Sequence, residues 1–281
     1  MFLLCLMTLL SAAGAAGLCV GTGAFASARW LWLLPAGFVL LWAAAFLLAA
    51  LFLWAVCLPV RLDVPQEQDS PFYRRLTRIY LDAVVRLLRM RIHTRGMERL
   101  PQQGRFLLVC NHLNDMDPLT LLHLFPDSQL AFISKRENSR LPIVGKLMHR
   151  LLCQPINREN DREALKTILR CVDILTEDKA SVAVFPEGYT SRDGLLHTFR
   201  NGVFKIAQKA QVPIVVCTLQ NTQHIFHNAA RLRPTDVHMH LLAVIGPEEL
   251  KGRTAVAIGE QVYGLMARDL GPDRVAPKEN T

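Results

Sequence analysis

The chain has 281 residues, of which 51% are hydrophobic, a formal net charge of +8 and an isoelectric point near 9.3. This length accommodates one ordinary domain plus a membrane segment. A basic balance often indicates nucleic-acid binding. The sequence contains no zinc-finger spacing, no aromatic RNA-binding strand and no isolated basic tail, so we expect no nucleic-acid partner.

Residues 1–60 are almost free of charge and predict an N-terminal membrane anchor, a hairpin of two helices. Arg29 is the single charged side chain in this region, and it separates the apolar stretches 1–28 and 30–60. Each stretch exceeds the roughly 20 apolar residues that a helix needs to cross a bilayer core. A cleaved signal peptide is the alternative, because residues 26–28 resemble a cleavage site. A signal peptide has a basic region before its apolar stretch, and this chain lacks one there. This and the second apolar stretch favour the hairpin.

The segment after the hairpin predicts how the protein meets the membrane. Residues 61–71 are a short linker, and residues 72–89 predict an amphipathic helix with arginines on one face. Such a face favours contact with anionic lipid, although the solvated face of an ordinary helix has the same pattern. The positive-inside rule places this arginine-rich segment in the cytoplasm. We therefore predict an integral membrane protein with both hairpin ends and the following domain on the cytoplasmic side.

The seven cysteines indicate a reducing compartment. None forms a CxxC pair, and Cys5, Cys19 and Cys57 lie within the apolar hairpin. Cysteines in such a pattern behave as small buried hydrophobic residues rather than as a disulfide framework or a metal site.

The remaining pattern predicts one α/β domain over residues 72–270, with a mixed central sheet flanked by helices, and a tail at 271–281 whose last residues, 278–281, fray. Asp117 is predicted as the N-cap of one helix and Pro142 as the first residue of another. The predicted strands are 90–94, 105–110, 130–134, 154–157, 181–185, 213–219 and 236–245. The predicted helices are 72–89, 118–124, 142–152, 162–177, 202–211, 248–250 and 255–270.

Polar turns follow two of these predicted strands, where an α/β sheet exposes functional side chains. Residues 111–117 (Asn-His-Leu-Asn-Asp-Met-Asp) follow the strand at 105–110, and Glu187 follows the strand at 181–185. A histidine accepts a proton near neutral pH, and a carboxylate on its other nitrogen fixes the tautomer. His112 is therefore a candidate general base with Asp117 as its orienting partner. Taken alone, this spacing also fits a loop histidine that caps a helix.

Several blocks in order along the chain resemble the glycerolipid acyltransferase family, which includes the 1-acyl-glycerol-3-phosphate acyltransferases of membrane lipid synthesis. The resemblance covers about Gly96 to Leu219. The blocks are His112-x4-Asp117, Lys135, Pro142-x-x-Gly145, Ile156-Asn157-Arg158, Phe185-Pro186-Glu187-Gly188, Phe199-x-x-Gly202 and Val212-Pro213-Ile214-Val215.

This resemblance implies a reaction and its participants. A hydroxyl of a membrane lysophospholipid, most simply 1-acyl-glycerol-3-phosphate, attacks a fatty acyl thioester carried by coenzyme A or acyl carrier protein, with His112 as the base and Asp117 orienting it. No metal or redox cofactor is expected. Arg158 would bind the acceptor phosphate through a bidentate fork, although an ion pair with Glu159 or Glu163 is the alternative. The full set of implied substrate-binding residues is Lys135, Arg158, Glu187, Gly188, Arg192 and Arg200.

The sequence departs from the family at one position. The family commonly continues Phe-Pro-Glu-Gly with Thr-Arg-Ser, whereas this chain continues with Tyr-Thr-Ser-Arg, so Thr190 occupies the position of a phosphate-binding arginine. Either Arg192 or Arg200 takes over that function, or the acceptor head group is not a simple phosphomonoester.

Other functions fit parts of the pattern. The alternatives are acyl transfer to another lysolipid or an amino-lipid, a non-catalytic lipid-binding protein on the same fold, and a thioesterase. The presence of both dyad residues argues against the non-catalytic alternative, and the absence of a Gly-x-Ser-x-Gly motif argues against a serine hydrolase. Four histidines resemble a metal-binding set, but no carboxylate or thiolate is fixed near them, so no metal site is expected. They are His224, His227, His238 and His240.

Overall fold

A computed structural model describes residues 2–277, so the predicted fraying of 278–281 falls outside the described residues. The chain divides into two compact units, one ending at Arg61 and the other beginning at Leu62.

The first unit consists of two apolar helices, α1 (Phe2–Gly21) and α2 (Trp30–Cys57), joined by a turn that contains the 3-10 helix Ala24–Ala26. Both helices are long and apolar enough to cross a membrane. They pack closely at small residues: a Cβ on Gly37 would lie 3.6 Å from the Cβ of Ala15, and a Cβ on Gly14 would lie 2.8 Å from the Leu41 side chain. The predicted hairpin of two apolar helices is thus confirmed as a structural element.

The second unit is built on a seven-stranded mixed sheet in the order β1-β7-β6-β2-β5-β3-β4, and β6–β7 is its antiparallel pair. This confirms the predicted fold class. The strands are β1 (Met90–Arg95), β2 (Leu107–Cys110), β3 (Leu130–Lys135), β4 (Gln154–Ile156), β5 (Ser181–Val184), β6 (Ile214–Gln220) and β7 (Thr235–Ile245). The helices are α3 (Pro71–Leu87), α4 (Asp117–Leu124), α5 (Val144–Arg150), α6 (Asp161–Thr176), α7 (Lys205–Ala210), α8 (Ile225–Ala230), α9 (Pro247–Leu250) and α10 (Ala255–Leu270).

The centre of the sheet is buried on both faces, which explains why its strands are nearly continuous apolar runs. Leu107 and Val109 of β2 point into a core shared with α6, α7 and α10. Leu108 and Cys110 point the other way, into a core shared with α3, α4 and α8. Since β2 is fixed from both sides, the polar turn that follows it starts from a rigid position.

Two of the predicted helices are shorter in the structure. The helix predicted at 142–152 is restricted to α5, because the preceding residues form a 3-10 helix, Arg136–Arg140, and Pro142 lies two residues before α5. The helix predicted at 202–211 divides into a 3-10 helix, Asn201–Phe204, followed by α7. Helix α8 was not predicted, because its six residues are too few for a helical period to emerge.

Candidate active site

The site lies where two neighbouring parallel strands, β2 and β5, end at the same edge of the sheet. Asn111, directly after β2, is 1% exposed. Its side chain pairs with the backbone of Leu219 in β6: the amide nitrogen donates to the carbonyl oxygen at 2.9 Å, and the amide oxygen accepts from the N–H at 2.7 Å. The Asn111 side chain therefore takes the place of a backbone residue in pairing with β6. It fixes the direction in which the chain reaches His112.

The structure joins His112 to Asp117. Nδ1 of His112 lies 2.8 Å from Oδ2 of Asp117, and the same oxygen accepts the backbone N–H groups of Leu113 at 2.6 Å and Asn114 at 2.8 Å. The carboxylate is completely buried. Because an ionised carboxylate only accepts hydrogen bonds, this arrangement places the proton on Nδ1 and leaves a lone pair on Nε2.

The predicted N-cap assignment of Asp117 is wrong. Met116 is the N-cap of α4, and Asp117 is the first helical residue. Its carboxylate turns back to the amides of the preceding loop instead of capping the helix, because these amides and the imidazole lie on that side.

The imidazole of His112 is held on one face as well as at its two ring nitrogens. The ring stacks on Phe185 with centroids 4.2 Å apart and planes inclined by 16°. Nε2 faces the hydroxyl oxygen of Thr190 at 3.0 Å. The lone pair of the base is therefore directed at a hydroxyl group, which is the geometry that proton abstraction from an alcohol requires.

Glu187 ties the turn after β5 to the turn after β2. Its Oε1 accepts the backbone N–H of His112 at 2.8 Å, and its Oε2 accepts the Ser191 hydroxyl and the His197 backbone N–H, both at 3.0 Å. Ser191 adds a backbone bond of 2.7 Å to the His112 carbonyl oxygen. Glu187 is 1% exposed, so this geometry makes it a positioning residue; its predicted contribution to the acceptor pocket stays a prediction.

Glu187→Gln is expected to destabilise the protein and to change how its stability depends on pH. The amide NH₂ group would face an N–H or O–H group whose hydrogen bond a carboxylate oxygen accepts in the wild type. Two donors that face each other in a buried site cost about 1–3 kcal/mol of stability. Burial raises the pKa of Glu187, so the folded state holds this proton more tightly than the unfolded state. The Glu187 contribution therefore lowers the free energy of unfolding as pH rises from about 4.3, the ordinary carboxyl value, through the raised pKa.

Denaturant unfolding between pH 4 and pH 8 measures both effects, with Glu260→Gln at an exposed helical position as the matched control. The glutamine variant at 187 should lack this decline with pH, whereas the control should retain it. Equal stability and equal pH dependence in all three proteins would show that Glu187 is not a buried structural carboxylate.

Two of the predicted phosphate-binding arginines lie near each other. Arg200 packs across Gly188, whose φ is +82°, so that a Cβ there would lie 2.9 Å from the Arg200 side chain. Arg158 is half-buried. Burial lowers the pKa of its guanidinium, and the positive charge of Arg200 lowers it further. Two positive charges that repel each other in this way favour the binding of an anion.

Arg158 does not form the ion pair with Glu159 or Glu163 that was the alternative to phosphate binding. Glu163 instead lies 3.8 Å from Arg136 and accepts a hydrogen bond from Asn157 at 2.9 Å. Within the described range 2–277, neither Arg158 nor Arg200 has an ion-pair partner within 4 Å. Both guanidinium groups are thus available to a ligand.

The remaining predicted substrate-binding residues, Lys135 and Arg192, are exposed. Lys135 ends β3 beside Ile156 of β4, at the same edge of the sheet as the dyad. For residues 2–277 the structure records no hydrogen bond between either cation and the dyad, so their substrate contacts stay predictions.

Three of the four histidines that resembled a metal set have other partners. His238 stacks on His93 with centroids 5.0 Å apart, His240 bonds Asp269 at 2.9 Å, and His227 contacts Arg231 at 2.9 Å. Over the described part of the chain, no group of three or more His, Cys, Asp or Glu side chains is arranged to hold a metal ion.

Sequence reasoning missed four contacts of the site. These are the Thr190 hydroxyl on His112 and the bonds of Glu187 to His112, Ser191 and His197. Ser191 and Thr190 were visible as polar residues directly after the Phe-Pro-Glu-Gly motif. The partner of Thr190, His112, was not visible, because it belongs to a turn almost eighty residues earlier in the chain.

An α/β domain with a buried carboxylate, an oriented imidazole and a hydroxyl at Nε2 is typical of enzymes that activate an alcohol. The family model described as Acyltransferase matches residues 91–220, which include the dyad and the Glu187 turn. A 1-acyl-sn-glycerol-3-phosphate acyltransferase of Chlamydomonas reinhardtii is 30% identical over 243 residues, 81% of this chain and 72% of the relative. The chain belongs to this acyltransferase family.

Two further comparisons define the extent of the similarity. A chloroplastic 1-acyl-sn-glycerol-3-phosphate acyltransferase of Arabidopsis thaliana is 36% identical over 136 residues, which is 48% of this chain but 37% of the relative's length. The crystal structure of the 1-acyl-sn-glycerophosphate acyltransferase of Thermotoga maritima has the same fold, with a TM-score of 0.59, 20% identity, and coverage of 73% of this chain and 81% of that one.

Proposed function

We propose that the protein transfers a fatty acyl group from a thioester to the free hydroxyl of 1-acyl-glycerol-3-phosphate, in phospholipid synthesis. The observation that carries this proposal is the Nε2 lone pair of His112, which is oriented by Asp117 and directed at a hydroxyl at 3.0 Å. The names of the similar acyltransferases support the acceptor. The donor is acyl-coenzyme A or acyl carrier protein.

The chemistry needs a base that also returns its proton. Nε2 of His112 removes the proton of the attacking hydroxyl, and buried Asp117 stabilises the imidazolium that results. The hydroxyl oxygen bonds to the thioester carbonyl carbon, and the carbon–sulfur bond breaks. The imidazolium then protonates the leaving thiolate, so the products are an ester and a thiol. This proton balance closes without a metal or other cofactor.

The acceptor phosphate is proposed to lie between Arg158 and Arg200. Both guanidinium groups are without ion-pair partners in the described range, and the pKa of Arg158 is lowered in part by the charge of Arg200. A phosphate would neutralise this repulsion and accept charge-assisted hydrogen bonds. This pair would replace the arginine that the family commonly carries at position 190.

Arg158→Ala is expected to raise the acceptor KM about tenfold to a hundredfold, since charge-assisted bonds contribute about 1.5–3 kcal/mol each. The donor KM should change less. Arg158→Lys should recover part of the loss, because an ammonium group cannot form a planar fork.

Steady-state kinetics with lysophosphatidic acid and with a lysophospholipid of larger head group measures this effect. Arg162→Ala is the matched control, because this exposed arginine lies four residues from Arg158, at the start of α6, and is not one of the predicted substrate-binding residues. An unchanged acceptor KM in Arg158→Ala would assign this arginine a structural function. A wild-type preference for the larger head group would favour the alternative acceptor.

We propose that the first unit anchors the enzyme as an integral membrane protein, with the catalytic unit on the cytoplasmic face. The length and apolarity of α1 and α2 support the anchor, and the arginines of α3 support the orientation. A reporter-fusion scan should place residues after Arg61 on the cytoplasmic side. An external location for them would contradict this orientation.

The function is tested by lipid analysis of cells that lack their own enzyme of this class, with and without this protein. Phosphatidic acid should rise and lysophosphatidic acid should fall when the protein is present. Released free fatty acid with unchanged phosphatidic acid would identify a thioesterase instead. Unchanged lipids from correctly inserted protein would favour the non-catalytic lipid-binding alternative.

A further inference from the structure

The connection between β6 and β7 lies at the edge of the sheet that carries the dyad. Strand β6 runs parallel to β2, and the Asn111 side chain, directly after β2, pairs with Leu219 near the end of β6. Strand β7 is antiparallel to β6 and begins at Thr235. Residues 221–234, which include α8, therefore leave and re-enter the sheet on the same side as His112.

Leu232 in this connection is exposed in a backbone conformation that leucine rarely adopts. It is 76% exposed, and no large apolar side chain among residues 62–277 is more exposed. Its φ of +55° lies in the left-handed region, which is costly for a bulky side chain. Phe226 of α8 is a second exposed apolar side chain, at 52%. Apolar groups exposed at such a cost mark a surface that binds a partner.

Contacts with the residues after α3 hold Leu232 in this position. The Arg89 guanidinium donates to the Leu232 carbonyl oxygen, and the Thr235 N–H donates to the Arg89 carbonyl oxygen at 3.2 Å. The Leu232 N–H donates to the Ala229 carbonyl oxygen at 2.9 Å. Leu87, the last residue of α3, is exposed as well, so the end of α3 contributes a third apolar side chain.

The charge around these apolar side chains is positive. Residues 221–234 contain Arg231, Arg233 and two histidines, but no aspartate or glutamate. The next acid along the chain, Asp236, is bonded to His93 at 2.9 Å. Apolar side chains among arginines suit the interface of a bilayer that contains anionic lipid. The α8 surface is defined by Leu87, Arg89, Phe226, Arg231, Leu232 and Arg233.

We propose that the α8 surface binds the face of an anionic phospholipid bilayer, with Phe226 and Leu232 inserted among the lipid head groups. The guanidinium groups pair with lipid phosphates while the apolar side chains leave water. The contact holds the dyad edge of the sheet against the membrane, where a lysophospholipid resides. It is a contact of the catalytic unit itself, separate from the proposed anchor and independent of the acyl-transfer chemistry.

The test places the photoreactive amino acid benzoylphenylalanine at one position at a time in the full-length protein, reconstituted in vesicles of phosphatidylcholine and phosphatidylglycerol. Mass spectrometry then measures phospholipid adducts after illumination. The probe at Phe226 or Leu232 should yield at least about tenfold more adduct than the probe at Val256. Val256 is the matched control, because it is also 52% exposed but lies at the start of α10, which follows the opposite end of β7.

The contribution of charge is measured with the probe at Phe226. Replacing both Arg231→Gln and Arg233→Gln should lower the adduct yield about fivefold or more, and vesicles without phosphatidylglycerol should have a similar effect. Replacing both Arg95→Gln and Arg99→Gln, which are exposed near the opposite end of β1, is the matched control and should leave the yield unchanged. An equal yield in all of these proteins and vesicles would overturn the assignment to anionic lipid.

The contribution of Leu232 is measured by kinetics. Leu232→Asn suits the left-handed backbone and should raise the apparent KM for lysophosphatidic acid presented in the same vesicles several-fold. Val256→Asn should not. An unchanged apparent KM in Leu232→Asn would show that this side chain does not hold the protein against the bilayer.

The same probe at Phe46, an exposed residue of α2, reports on the proposed anchor. Adducts at Phe46 without adducts at Phe226 and Leu232 overturn this inference and leave the anchor intact. Lipid adducts at Phe226 and Leu232 without adducts at Phe46 support the inference and contradict the anchor. A protein–protein adduct at Leu232 in place of a lipid adduct overturns the inference and assigns the α8 surface to a second copy of the chain.

Discussion

His112→Ala is expected to lower turnover at least about 10²-fold while the protein remains folded, because it removes the general base. The structural contribution of this position comes from its backbone, which donates to Glu187 and accepts from Ser191. Alanine retains both bonds. The cost in stability should therefore be limited to the lost imidazole, with its stacking on Phe185 and its bond to Asp117.

The measurement is kcat for acyl transfer together with thermal unfolding of the same preparations. His123→Ala is a matched control. His123 also pairs with a carboxylate, Asp82, at 3.0 Å, and this pair is not part of the dyad. It should keep near-normal turnover. Near-normal turnover of folded His112→Ala would refute the proposed chemistry.

Asp117→Asn is expected to be similarly severe for turnover and more damaging for stability. Oδ2 of Asp117 accepts three donors, while buried Oδ1 has no partner among the described residues. If the asparagine oxygen takes the place of Oδ2, the NH₂ group is buried without an acceptor, at about 1–3 kcal/mol. If it is turned round, the NH₂ group faces the two N–H donors and Nδ1 of His112, so Nε2 would carry the proton and could not act as a base.

In either orientation the negative charge that stabilises the imidazolium is lost, so turnover should fall by about 10²-fold or more. Denaturant unfolding and kcat measure the two effects separately. Asp82→Asn, which alters the second His–Asp pair, is the control and should retain turnover. Turnover within a few-fold of wild type in Asp117→Asn would show that the carboxylate charge does not contribute to the reaction.

The fold could be predicted from the sequence where burial is two-sided. Strands β2 and β5 are short runs in which every residue is buried and all but Ser181 are apolar, so composition alone locates them. Helix α10 was predicted with its observed bounds, because Thr254 caps it with a side-chain bond to Ala257 and an apolar face repeats along it. The shorter α5 was not predicted, because a separate 3-10 helix precedes it and brings the Ser139 carbonyl close to Gly145.

The site could be predicted where its residues are neighbours in sequence. His112 and Asp117 are separated by five positions, and the turn between them brings them to 2.8 Å. The bonds of His112 to Glu187 and Thr190 depend on β2 lying beside β5, and the sequence does not specify this strand order. The same limitation hid the proximity of Arg158 and Arg200, which follow different elements of the fold.

The most direct test of the account is acyl transfer by the purified protein from labelled acyl-coenzyme A, or from labelled acyl carrier protein, to 1-acyl-glycerol-3-phosphate. Product lipids and free thiol are quantified together. We expect phosphatidic acid and thiol to form in equal amounts with at least one donor, and neither to form at a comparable rate with His112→Ala. Thiol released together with free fatty acid, or no reaction with either donor from a folded protein, would contradict the account.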